Sequence, residues 1–325
     1  MALTYAELES ITNDYFLADG KKATDIYFYT SFILNYLMNQ QKGLWERPDG
    51  GMKIRVPIEY DEQVTGFYAR GDTISSDDRE SINAAFFDWK HAYGNATVYR
   101  IDELKNAGRY AEVQQTIQRV KGAQKSVTKL LAESVYDAIG GASNRLTGLR
   151  ACMNATTSLK YGDIAEADLV ASDGTKPWTG RTDTTGGTIN LSMIRSACTT
   201  AKIRDGKNGK PNIVATTELL YNKLVDVLTV QQRYVNSDTT AKAGFTGINF
   251  EGKDIFPDDY CPTGFFFALN SAFLGFAIHK DGYFMRSPWK KIPDSPEDRS
   301  MKIYWDGNMI SNNRKGQISY SGLTA

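Results

Sequence analysis

The residues able to do chemistry are few and badly placed for it. The two histidines, His91 and His279, have no cysteine or glutamate near them at metal-ligand spacing, which argues against a zinc site. Cys152, Cys198 and Cys261 are far apart and odd in number, the pattern of reduced thiols in a cytosolic setting rather than of a disulfide framework. No Ser or Cys stands in a nucleophile-elbow context. Gly206-Lys207-Asn208-Gly209-Lys210 resembles a phosphate loop only superficially. It lacks the spacing and the Ser/Thr after the lysine, and Pro211 starts the next element badly. Asp258-Asp259, between Pro257 and Tyr260, reads as a pair of solvated turn carboxylates. The basic groups in 286–291 and at Arg314-Lys315 are short and scattered, as in exposed loops or subunit contacts. No catalytic, cofactor-binding or metal residue is assigned, and a non-enzyme is expected.

The bulk numbers agree. The 325 residues carry 38 Lys+Arg against 38 Asp+Glu, so no global field draws the chain onto nucleic acid or an anionic membrane. With 41% apolar and 12% aromatic residues, the chain has the material for one elaborated domain or two rather than for disorder. Glu7, Glu9 and Asp14 occupy the place where a signal peptide needs basic residues. The most apolar windows, 28–38 and 265–278, are too short or too interrupted to span a bilayer.

The elements that must supply a function are therefore structural ones. Residues 109–139 contain no proline and only one glycine, Gly122. Val113, Ile117, Val120, Val127 and Leu131 fall on one seam of alternating four- and three-residue steps, interrupted at Gln124 and Ser134 and widened by Leu130, Val135 and Ile139, and this spacing predicts one long amphipathic helix. Gly140-Gly141 is positioned to close it. Residues 26–38 are apolar on nearly all sides and must be covered by the chain itself or by a neighbour. Residues 52–60 alternate apolar and polar as a half-exposed strand does, and Pro57 puts that strand at an edge. Residues 61–81 then turn polar and charged before a second extended stretch over 82–101. Two strands around some twenty polar residues describe a long hairpin, a length uncommon within compact domains and usually functional. After Gly141 an α/β texture follows: a polar surface region at 160–187, helices at 190–203 and after Thr216 or Thr217, a buried strand at 212–215, and strands from 245 onward. Residues 287–300, with Pro288, Pro293 and Pro296, read as a second projecting loop.

This order of parts resembles the major capsid proteins of tailed bacteriophages, with the Hong Kong 97-type fold. Gly51 to Tyr60 followed by Gly66-Phe67-Tyr68 and Gly71-Asp72 looks like the entry to the E-loop, and Phe87-Asp88-Trp89-Lys90 like its return. Gln231-Gln232-Arg233, Ala243-Gly244-Phe245, Phe250-Glu251-Gly252, Cys261-Pro262, Leu269-Asn270, His279-Lys280-Asp281 and Asn312-Asn313-Arg314-Lys315-Gly316 follow one such family's C-terminal run. Each motif is weak alone, and their collinearity carries the resemblance over most of the chain.

The resemblance implies an α+β fold with an N-terminal arm (1–42), an E-loop hairpin (43–85), a P-domain with a spine helix (86–140), an A-domain (141–272), returning P-domain strands with a P-loop (273–312), and a C-terminal A-domain strand (313–325). It further implies subunit contacts by Tyr68, Arg70, Asp72, Asp77, Asp78 and Arg79 of the E-loop. In the P-loop it points to Arg286, Lys290, Lys291, Asp294, Glu297, Asp298 and Arg299, and at the A-domain tip to residues near 207–210 or 231–238. The expected function is self-assembly of hexamers and pentamers into an icosahedral shell around packaged DNA, without sequence-specific DNA binding, cofactor or membrane. The expected location is the virion, after assembly in the host cytoplasm. A portal protein and decoration proteins are expected partners; because the arm begins almost at Met1, so is a separate scaffolding protein. A cellular nanocompartment shell is the alternative within the fold; an enzyme or sugar-binding module is the alternative outside it.

Overall fold

The structure is a computed structural model that describes residues 31–38, 44–74, 76–105, 109–138, 144–156, 159–203, 209–231, 248–293 and 298–325. Residues 1–30 of the expected arm, the Gly140-Gly141 stop, residues 207, 208 and 232–238 of the expected tip, and Asp294 and Glu297 lie outside them.

In chain order the elements are α1 (Phe32–Met38), β1 (Leu44–Glu46), β2 (Ile54–Glu59), β3 (Ile82–Phe87), β4 (Lys90–Val98), α2 (Arg100–Lys105), α3 (Arg109–Val135), α4 (Leu149–Met153), β5 (Thr182–Asp183) and β6 (Gly187–Thr188). There follow α5 (Leu191–Thr200), β7 (Ile213–Thr216), α6 (Glu218–Gln231), β8 (Ile248–Phe250), β9 (Lys253–Pro257), β10 (Phe266–Leu269), β11 (Leu274–Ile278), β12 (Met285–Arg286), β13 (Lys290–Lys291), β14 (Arg299–Ser311), β15 (Ile318–Tyr320) and β16 (Leu323–Thr324). The chain divides into two compact units, one holding Ala92–Leu130 and Tyr283–Trp305, the other Thr30–His91, Leu131–Gly282 and Asp306–Ala325.

In the first unit β12 and β13 pair antiparallel with the start of β14, Met285 opposite Tyr304 and Lys290 opposite Ser300. Ala96, Ala123, Met301 and Ile303 form a buried cluster with Val120 and Phe284 against it, so the α3 stripe packs on strand residues. Gly94 sets the distance. A Cβ there would lie 2.7 Å from Val127 Cγ2 and 2.8 Å from the Ala123 carbonyl oxygen, so only glycine lets strand and helix approach this closely. Val127 is buried, but Leu130, expected to widen the stripe, is 43% exposed. The side chains of Val113 and Ile117 lie outside the described residues.

In the second unit the order β5-β15-β10-β7-β9-β8 makes a six-stranded sheet. Helices α5 and α6 contribute to its core through Ile194, Ala197, Leu220 and Leu224. The strand-rich run expected from 245 onward includes a hairpin of β8 and β9. Glu251 (φ 52°) and Gly252 (φ 76°) both take positive φ, the two-residue turn whose twist matches its strands. The 82–101 stretch is two strands and the start of α2 rather than one extended run.

The α3 helix runs about 40 Å and stops at Val135, short of the expected Ile139. The 148–151 segment docks on its end: Ala151 N–H donates to the Asp137 carbonyl, and a Cβ on Gly148 would sit 2.5 Å from the Asp137 backbone. Leu131 and Val135 are buried in this second unit. The three cysteines are free and buried.

Candidate assembly surfaces

The α1 helix tests whether a neighbour must cover the apolar arm. Phe32, Ile33, Leu34 and Leu37 are buried in their own subunit, and Phe32 stacks on Phe256 at 3.6 Å between ring centroids. Asp258, expected to be solvated, is 2% exposed. It accepts hydrogen bonds from Ser31 Oγ and Ile33 N–H at 3.0 Å and from Tyr260 N–H. A carboxylate at the start of a helix satisfies donors that the helix cannot. Burial nevertheless raises the Asp258 carboxyl above its ordinary range, against the pull of the Ile33, Tyr260 and Ser31 hydrogen bonds.

Since folding raises this group, its contribution is fully present below the unfolded-state value and is lost as pH rises through the folded one. In urea titrations from about pH 3.5 to 7, wild type is therefore expected to lose stability relative to Asp258→Asn. A difference independent of pH would refute that assignment.

The β2 and β3 strands pair alone, in register from Ile54 opposite Phe87 to Glu59 opposite Ile82. Ile54, Val56, Ile58, Ala85 and Phe87 face a core of Cys152, Tyr161, Ile164, Leu169 and Trp178. The ladder closes with Tyr60 N–H on the Ser81 carbonyl. Beyond it, residues 62–74 and 76–80 are exposed, bent at a turn where Ala69 N–H donates to Asp72 and Gly71 takes φ 97°.

The charge-based expectation is incomplete here. Phe67 is 109% exposed, Tyr68 74% and Ile74 66%, so the tip holds large apolar side chains in water beside Arg70, Asp72, Asp77 and Asp78. An aromatic pair within a polar stretch was the available signal. At the base, Arg79 and Asp61 are engaged within their own chain. Arg79 Nη1 donates to Ser172 Oγ at 2.6 Å, and Asp61 accepts from Ser172 N–H and Oγ. Desolvation raises the Asp61 carboxyl, but the Ser172 and Glu62 hydrogen bonds and the Arg79 charge together bring it below its ordinary range.

In the other unit, Arg286, Lys290, Lys291 and Arg299 are exposed, with Met285, Trp289 and Tyr304 exposed beside them. Asp298 is tied down by the Arg100 N–H at 2.9 Å.

Arg314 corrects the reading of the C-terminal basic pair. It is 2% exposed, and donates to the carbonyls of Cys152, Trp178 and Asn154 at 2.8 Å each. Its guanidinium lies 5.0 Å from the Tyr161 ring centroid and 5.8 Å from that of Trp178. Burial lowers its pKa, and carbonyls and ring faces replace its water.

Among the described residues no group of three or more His, Cys, Asp or Glu could hold a metal ion, and no helix is long and apolar enough to cross a membrane. No family model and no curated protein matches the chain. Solved structures do. The capsid asymmetric unit of cyanophage A-1(L) superposes with a TM-score of 0.68 at 14% identity, over 97% of this chain and 99% of that one. The capsid of a native GTA particle gives 0.60 at 10%, over 99% and 100%. The holo-SrpI encapsulin of Synechococcus elongatus gives 0.57 at 9%, over 99% and 96%. The chain has the fold of tailed-phage capsid subunits, as the sequence resemblance implied.

Proposed function

We propose that this chain is the major capsid protein of a tailed bacteriophage, assembling as hexamers and pentamers into an icosahedral shell around packaged DNA. The observation that supports the reading is full-length likeness in both directions to capsid subunits. In this reading β2, β3 and the segment between them are the E-loop, α3 is the spine, the β5-to-β8 sheet is the A-domain, and the β12–β14 region carries the P-loop. Apolar tip residues as exposed as Phe67 and Tyr68 suit a surface covered on assembly. The shell is a virion component made in the host cytoplasm, with a scaffolding protein, a portal and decoration proteins as its expected partners.

Cryo-electron microscopy of particles from an expressing host tests this. Closed shells with DNA or empty support the reading, shells filled with protein favour the nanocompartment seen in the encapsulin likeness, and a concentration-independent monomer ends both. Arg70→Glu is expected to weaken assembly more at low salt than at high, because screening acts on exposed pairs. Light scattering against ionic strength reads this, and a salt-independent defect would remove Arg70 from the contact.

A further inference from the structure

Besides the apolar face that β2 and β3 bury, three contacts tie the hairpin to one loop, residues 159–176. At the first, Phe86 N–H donates to the Gly162 carbonyl at 2.9 Å. Gly162 holds φ 64°, and a Cβ there would lie 2.7 Å from Ala85 Cβ and 3.0 Å from Phe87 Cζ, so the loop is pressed against β3 as only glycine permits. At the second, Lys53 lies 2.5 Å from Asp163 and 3.4 Å from Asp88. At the third, Ser172 gathers Asp61 from one strand's end and Arg79 from the other's.

The loop is held from beneath by the buried arginine. Trp178 Nε1 donates to the Tyr161 carbonyl at 3.0 Å. Arg314 takes the Trp178 carbonyl and covers both rings. Its other two donors fix the Cys152 and Asn154 carbonyls.

We propose that loop 159–176, keyed by Arg314, is the aiming device of the hairpin: it fixes the direction in which the tip leaves the subunit. The proposal rests on the shell reading for its consequence, but not for its geometry. A two-stranded ribbon is marginal alone, and the exposed residues 62–74 and 76–80 beyond its ladder take their direction from how that ribbon is seated. Closing a shell needs each tip to arrive at one place, and a tip fixed in advance loses less freedom on binding. Arg314 is a positioning residue, acting through Trp178 and Tyr161. Lysine keeps its charge but cannot present three planar donors at once.

Double electron–electron resonance tests the idea, with spin labels on exposed cysteines replacing Tyr68 and Leu219. Wild type should give one narrow distance distribution. Ser172→Ala, at an exposed position, and Arg314→Lys should each broaden it about twofold as preorganisation is lost, with shell yield falling in step. Asp163→Asn should give a smaller broadening, because Lys53 keeps Asp88. If Arg314→Lys does not fold, Ser172→Ala alone decides. An unchanged distribution in Ser172→Ala overturns the proposal, as does a broad one in wild type. Should wild type form no shells but show the narrow, variant-sensitive distribution, the shell reading fails and the aiming loop stands.

Discussion

A subunit in which residues 66–78 are replaced by a short Gly/Ser turn is expected to form no closed particles while melting within about 3 °C of wild type, the shift that about 1 kcal/mol produces. The two halves have separate causes. The deleted residues are exposed wherever described, so the subunit core loses no buried surface and one long loop becomes a short one. Arg79 is retained because its bond to Ser172 belongs to the base. Assembly loses Phe67, Tyr68 and Ile74, whose exposure in the subunit leaves most of their apolar surface available to a neighbour at about 25 cal/mol per Å² buried. Closed symmetry repeats that loss in every subunit. Circular dichroism, thermal melting and negative-stain microscopy on the same preparation read both halves. Intact shells from the deleted protein would show that the tip is not the clasp.

The second large effect is on folding. Val127→Asp should yield insoluble protein. Val127 is 1% exposed and lies where Gly94 permits the closest approach of strand to helix. An aspartate there would place an unpaired charge between Ala123 and β4, costing several kcal/mol against a total stability of about 5–15. Soluble protein melting within a degree or two of wild type would refute the packing of α3 on the strands.

Local patterns were legible where one face of an element meets a core and the other meets solvent. The alternation of β2 and the apolar spacing of α3 are of this kind, and both elements form. Boundaries were less legible because tertiary contacts set them. Helix α3 ends where residues 148–151 dock, upstream of any glycine signal. The buried charges were illegible for a stronger reason. Asp258 reads as a turn residue until Ile33, 225 positions away, supplies its donor. Arg314 looks like a loop cation until the Cys152 carbonyl, 162 positions away, accepts from it. Charge counting passed over Phe67, although the aromatic pair Phe67-Tyr68 within a polar stretch was there to be read.

Pro57 bears on what a crowded shell must avoid. It stands opposite Ala84 in the β2–β3 ladder. Val56 and Ile58 turn their backbone groups toward β3, so Arg55, Pro57 and Glu59 turn theirs to the outer edge. The Phe86 N–H, opposite Arg55, faces out on the β3 side and is taken by Gly162. On the β2 side the middle donor of three does not exist, and those at Arg55 and Glu59 stand about 13 Å apart. A foreign strand meets a gap there rather than a template. Under the shell reading proposed above, copies of this hairpin held side by side at high local concentration are thereby hindered from pairing edge to edge through β2.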